Sequence, residues 1–307
     1  MCSGRGCMPF TMSHALAVLP GLRQDRAGTV RGRGPLVAAA LVAGSFAPDV
    51  PFFADSLVRG LFGYGQFTHA PLGVALVDPV IAAGLVGGWV VLRGPLVALL
   101  PEHRQAGIAA LVGVGDPVRP SARSVAAFWL SAVAGATTHV VWDAFTHPGR
   151  WGVRLLPVLD HEVHGTALHK YVQYGSSAVA LAVLGWYGLR ALRAAPDAAE
   201  KRPSLVPRLS RRARRLALAV LGATTAAGAG VRAEQWYGAT GDAAGMIPAG
   251  LFGAGAGLAL AAATCAGAVH LTHRAARRDG RGTPGQWAAD SQSGPTPTET
   301  SSGARNG

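Results

Sequence analysis

Residues 126–147 read AAFWLSAVAGATTHVVWDAFTH, and the reading of this stretch decides the fold. It is apolar almost throughout, yet His139, Asp143 and His147 recur in it at every fourth position. Four residues of α-helix turn the chain by about 400°, so the three side chains climb one face with a drift of about 40° per step. The apolar residues fall in one long run rather than in a short periodic face. A bilayer-crossing helix accounts for it, because about 20 apolar residues span the hydrocarbon layer. Ionisable groups in that setting cost free energy unless they are paired or used.

Working outward, similar runs recur at Leu36–Leu57, Leu72–Leu92, Val125–Thr146, Tyr174–Leu192, Leu216–Val231 and Met246–Leu271. Several of these runs approach or exceed the ~18–20 residues needed to cross a bilayer as helix. The expected fold is all-α, a polytopic membrane bundle of about six transmembrane helices with strand content near zero. A short helix precedes the first span. It covers MPFTMSHALAVLPGL and ends at Pro20-Gly21. Its apolar stretch is too short and too polar for a signal peptide, so it is expected to be retained. Residues 1–7 read as a non-native or disordered extension. Residues 8–195 carry the motifs, 196–215 form a basic loop, 216–272 hold two further helices, and 273–307 form a Ser/Thr/Gly/Pro-rich disordered tail.

The formal charge of +12 argues for topology rather than for nucleic acid. Arginines cluster in Arg23–Arg33, Arg190–Arg215 and Arg274–Arg281, each beside a helix end, whereas the loops Tyr64–Pro71, His147–Tyr171 and Arg232–Gly245 are nearly neutral. The positive-inside rule then places both termini on the cytoplasmic side of a plasma membrane. The 26 arginines against 2 lysines fit a GC-rich bacterial source. Cys2, Cys7 and Cys265 form no C-x-x-C pair, which removes thiolate zinc and redox motifs.

On that topology Asp49, His69, His139, Asp143 and His147 share one depth near the outer face. Prolines 48 and 51 disturb the helix beside Asp49, and such backbone persists in a membrane only where protein or a polar cavity satisfies it. Imidazole and carboxylate donors suit a divalent metal, with zinc first. Asp49 and Asp143 are the candidate catalytic groups, as general base if not bound to metal. Asp78 beside Pro79 is a weaker version of the Asp49 signal. His161 and His164 form a His-x-x-His pair in a loop read as solvated. A purely structural polar network among these groups is the alternative. His14 joins the outer cluster only if its segment dips into the bilayer.

The same positions carry a resemblance. MPFTMSH at 8–14, GSFAPD at 44–49, Thr68-His69, His139–His147 and YVQYGSS at 171–177 resemble the blocks of a bacterial membrane family, domain-of-unknown-function family 4184. That family is similar, more distantly, to predicted membrane-bound metal-dependent hydrolases. The resemblance implies His14, Asp49, His69, His139 and Asp143 as metal ligands. Ala15 and Ala70 depart from the pattern, where Pro and Ser are usual. The implied activity is hydrolysis of a lipidic or cell-envelope substrate. A proton- or cation-coupled transporter using Asp49, Asp78, His139 and Asp143, and a non-catalytic membrane protein, are the other expectations. The only partners expected are the bilayer and such a substrate, with no nucleic acid.

Overall fold

The computed structural model describes residues 11–24, 30–114, 121–194 and 206–278. It divides into a main unit, Met1–Ala266, and a C-terminal unit, Gly267–Gly307, whose described part is helical to its end at Arg278. The expected extension at 1–7 and the tail beyond 278 lie outside the described residues. Residues 273–278, assigned to that tail, instead continue the last helix.

Seven principal helices are labelled here: α1 (Ala38–Ala54), α2 (Gly73–Ala98), α3 (Glu102–Leu111), α4 (Ala122–Thr146), α5 (Leu168–Ala194), α6 (Arg211–Thr240) and α7 (Met246–Arg278). The fold is an all-α membrane bundle. Four of the helices, α2, α4, α6 and α7, are long and apolar enough to cross a bilayer. The first expected span is the shorter apolar run α1, and the fourth lies within the 27-residue α5. Two short antiparallel hairpins are the strands among the described residues: Leu22–Gln24 with Val30–Gly32, and Glu162–Val163 with Thr166–Ala167. The apolar side chains are distributed as a lipid solvent demands. Leu72, Leu76, Val80, Leu130 and Val179 are exposed, while His139, Asp78, Gln105 and Ser131 are fully buried.

Helices α1 and α4 make the closest crossing near the site. Gly44 lies against the Ala132 backbone, and Gly135 against the Leu41 carbonyl; a β-carbon at either would sit 2.2 Å from a carbonyl oxygen. Small residues let the two backbones meet, as they do throughout membrane bundles. The crossing has a functional consequence, because His139 lies one turn beyond Gly135 and Ser45 one residue beyond Gly44. Gly253 and Gly257 do the same for α7 against Gly228 and Thr224 of α6, in keeping with a packing role.

The prolines act locally rather than breaking the spans. Residues Ala47–Asp49 tighten into a 3-10 turn between the two α-helical parts of α1. Pro79 follows a π-helical turn at Gly73–Val77. It lacks the N–H that would bond the carbonyl four residues back. That carbonyl, on Ala75, accepts instead from the indole N–H of Trp129 at 3.0 Å.

Candidate metal centre

Three segments bring their polar groups to one buried point. In α4 the four-residue spacing puts His139 and Asp143 on the face turned to α1, near the C-terminal end of the helix. The 3-10 turn in α1 aims Asp49 at the same place. His69 comes from the turn after the short helix Gly65–Thr68, which Thr68 fastens by donating its hydroxyl to the Pro48 carbonyl at 2.7 Å. All four residues are buried, with at most 6% of their surface exposed.

Each imidazole is oriented from behind by a backbone carbonyl. His139 Nδ1–H donates to Ser45 O at 2.8 Å, and His69 Nδ1–H donates to Gly65 O at 2.7 Å. In the neutral ring this leaves both Nε2 lone pairs facing forward, the arrangement that outer hydrogen bonds impose on metal-binding histidines. Facing them are one oxygen from each carboxylate. His69 Nε2 lies 3.6 Å from Asp49 Oδ1 and 3.5 Å from Asp143 Oδ2; His139 Nε2 lies 3.4 Å and 3.5 Å from the same two atoms. The four donor atoms all lie within 4.8 Å of one another. A tetrahedral zinc with bonds of about 2.0–2.1 Å has ligand-to-ligand edges of about 3.3–3.4 Å, so the four His–Asp separations lie close to those of such a site, while the His–His and Asp–Asp separations lie within 4.8 Å. His139 Nε2 is buried and makes no hydrogen bond among the described residues, which is what an atom reserved for a cation should show.

A family model for a domain of unknown function, DUF4184, matches residues 8–266. The chain belongs to that family. No curated protein and no solved structure matches it. For this DUF4184 chain the matched region contains every residue of the cluster.

Further residues crowd the same point. The helical run 11–21, ending at Pro20-Gly21 as the sequence implied, packs between α1, α4 and α5, so His14 does reach the cluster. Its Nε2 lies 3.4 Å from Asp143 Oδ1, and its ring stacks on His139 with centroids 3.8 Å apart. His147 sits at the C-terminal cap of α4 with Nδ1 3.4 Å from the same Oδ1. Asp78 is fully buried, but it is not one of the four grouped residues, and neither of its oxygens has a hydrogen-bond partner among the described residues. His161 and His164 do not join. Both are exposed on the loop hairpin, where His164 (φ 52°) and Gly165 (φ 74°) form a two-residue turn of the kind tight hairpins require.

Three supporting residues were not singled out from the sequence. Thr11 donates its hydroxyl to Asp49 Oδ2, and Gln173 contacts His147 Nε2 at 3.0 Å. Ser177, one helical turn from Gln173 in α5, accepts from Ser13 at 3.3 Å. Each lies in a motif block quoted above, so the signal was there, but hydroxyl and amide groups alone do not announce a ligand.

Proposed function

We propose that this chain is a membrane-embedded, metal-dependent hydrolase that cleaves an ester, phosphoester or amide bond in a lipidic or cell-envelope substrate. The observation that carries the reading is the pair of imidazoles pinned at Nδ1 by backbone carbonyls, with both Nε2 atoms 3.4–3.6 Å from the same two carboxylate oxygens. Charge supports it. Two carboxylates and two neutral imidazoles carry a charge of −2, which a divalent ion cancels, and a neutral centre is far cheaper at membrane depth than a charged one. Nitrogen and oxygen donors in this ratio favour zinc, with manganese and iron next.

A bound divalent ion supplies a water acidic enough to act as nucleophile near neutral pH and polarises the bond under attack. The residues divide the remaining work. His69, His139 and Asp143 would hold the ion, with Asp49 as a fourth oxygen donor or as general base. The second oxygen of Asp49 is anchored to Thr11, so its carboxylate would be free to turn between these roles without losing its position. A bacterial plasma membrane, with both termini cytoplasmic and the centre toward the outer face, completes the proposal.

Elemental analysis of detergent-solubilised protein is the test, followed by hydrolysis assays on micellar acyl and phosphoryl esters. One tightly held divalent ion in the wild type, absent from His139→Ala, together with metal-dependent ester cleavage, is expected. A wild type that holds no metal, with His139→Ala merely less stable, would overturn the reading. Asp78 favours one rival, a cation or proton path through Asp78, His139, Asp49 and Asp143, because an unpartnered carboxyl in a membrane helix commonly serves translocation. Solute flux coupled to pH or membrane potential in proteoliposomes would decide for that rival.

A further inference from the structure

The Asp143 carboxylate has two faces, and the centre described above uses only one. Oδ2 is turned to His69 and His139. Oδ1 is turned to two other imidazoles, lying 3.4 Å from His14 Nε2 and 3.4 Å from His147 Nδ1. Those separations again match the edge of a tetrahedral site with bonds of about 2.0–2.1 Å. One histidine of each set is stacked on the other. The ring of His14 lies over that of His139 at a centroid distance of 3.8 Å with only 22° between their planes, and each turns its Nε2 to a different oxygen of the same carboxylate. Near-parallel ligands so spaced direct two ions to about the same separation, and two-metal hydrolytic sites hold their ions about 3.5–4 Å apart.

We infer that the cluster is a two-metal centre in which Asp143 bridges, with His14, His147 and Asp143 Oδ1 forming a second divalent-cation position. This rests on the metal-centre reading above and deepens it. The second position has three protein donors and is therefore the open one, the composition expected where water or substrate completes the coordination. It is also the less enclosed, since the His147 side chain keeps 12% of its surface exposed while that of His139 keeps none. Gln173 and Thr146 have the supporting role, fixing the His147 ring with the Gln173 amide nitrogen 3.0 Å from Nε2 and the Thr146 hydroxyl 3.1 Å from Nδ1, the atom offered to the ion. The N-terminal segment gains a purpose as well. Thr11 holds Asp49 of the first position and His14 supplies the second, so residues 11–14 stitch the two together. A second divalent ion takes the centre from neutral to +2, so the chemistry recognised is that of a bridging anion, such as hydroxide or a phosphodiester, whose charge returns it toward neutrality.

The experiment uses the full chain in detergent, stripped with chelator and titrated with Mn²⁺, read by metal stoichiometry and by electron paramagnetic resonance. The wild type should take up two Mn²⁺ per chain and give an exchange-coupled spectrum. His147→Ala and His14→Ala should each hold one and give the spectrum of an isolated ion. Should either variant fold poorly, the wild-type spectrum decides alone. One uncoupled ion in the wild type would overturn the second position and leave the first intact. No ion at all, of manganese or zinc, would overturn both.

Discussion

His139 gives its Nδ1–H to the carbonyl of Ser45 across the α1–α4 crossing, and the same crossing is close enough only because position 135 has no side chain. The buried imidazole is thus aimed by backbone from a neighbouring helix, and its aim depends on the distance between two helix axes. The carbonyl that receives this proton belongs to the last residue before Phe46 and the 3-10 turn that carries Asp49, so one contact sets the relative positions of a nitrogen donor and an oxygen donor.

Gly135→Ala tests that dependence. Its β-carbon would meet Leu41 O at 2.2 Å, and two backbones must separate to admit it. Overpacking of this kind costs about 1–3 kcal/mol. Loss of an outer hydrogen bond to a metal-binding histidine lowers affinity by about 10–100-fold. Zinc titration and thermal melting of the variant should show both, whereas Gly84→Ala, where a β-carbon meets nothing within 4 Å, should show neither.

The two carboxylates separate by role. Asp143→Asn removes the charge of the carboxylate whose two oxygens face the two histidine pairs and replaces one of those oxygens with an amide nitrogen; it should weaken metal binding by at least about 100-fold, beyond the range seen for outer-shell changes. Asp49→Asn keeps a neutral oxygen and the Thr11 anchor; it should stay within about tenfold of wild-type metal affinity while hydrolysis falls by about 10²–10⁴-fold, as expected for a lost general base. Parallel metal titration and ester-cleavage assays distinguish the two, and equal loss of metal in both would count against Asp49 as the group that swings free.

Much of this was legible in the chain, for physical reasons. Long apolar runs report a lipid solvent directly, and four-residue spacing places His139 and Asp143 on one helix face whatever surrounds them. Asp49 was legible through its prolines. The carbonyls of Ser45 and Gly65 were not, because every residue carries a carbonyl and only the packed helices show which ones face an imidazole. His14 was undecided for a related reason: a short amphipathic segment can lie on a membrane or enter it, and the choice is made by what it meets between α1, α4 and α5. The His161/His164 pair had ligand spacing, yet the hairpin turn holds it out in solvent.

Asp78 makes a prediction unlike that for most buried positions, because truncation there should cost little. Its carboxyl is fully buried with both oxygens unpartnered among the described residues, a burden of about 1–3 kcal/mol by comparison with protein mutational data. Removing it in Asp78→Ala should offset much of the small cavity left behind, so the melting temperature should stay near that of the wild type and the metal content should not change. A marked loss of solute flux in that variant, with metal retained, would instead support the translocation path.

Trp129→Phe isolates the device that lets Pro79 sit in a spanning helix. The indole N–H is the donor to Ala75 O, the carbonyl that Pro79 cannot serve. In lipid no water replaces a lost donor, so the ring can be kept and the polar partner removed with a cost of about 1–3 kcal/mol. Trp129 precedes His139 by ten residues, about 15 Å along the helix, so metal stoichiometry should be unchanged while thermal stability falls. Leu130→Phe is the matched control: Leu130 is 67% exposed on the apolar surface, and the change should leave stability within about 0.5 kcal/mol of wild type. If Trp129→Phe melts no lower than Leu130→Phe, the carbonyl of Ala75 has found another donor and the proline needs no partner on α4.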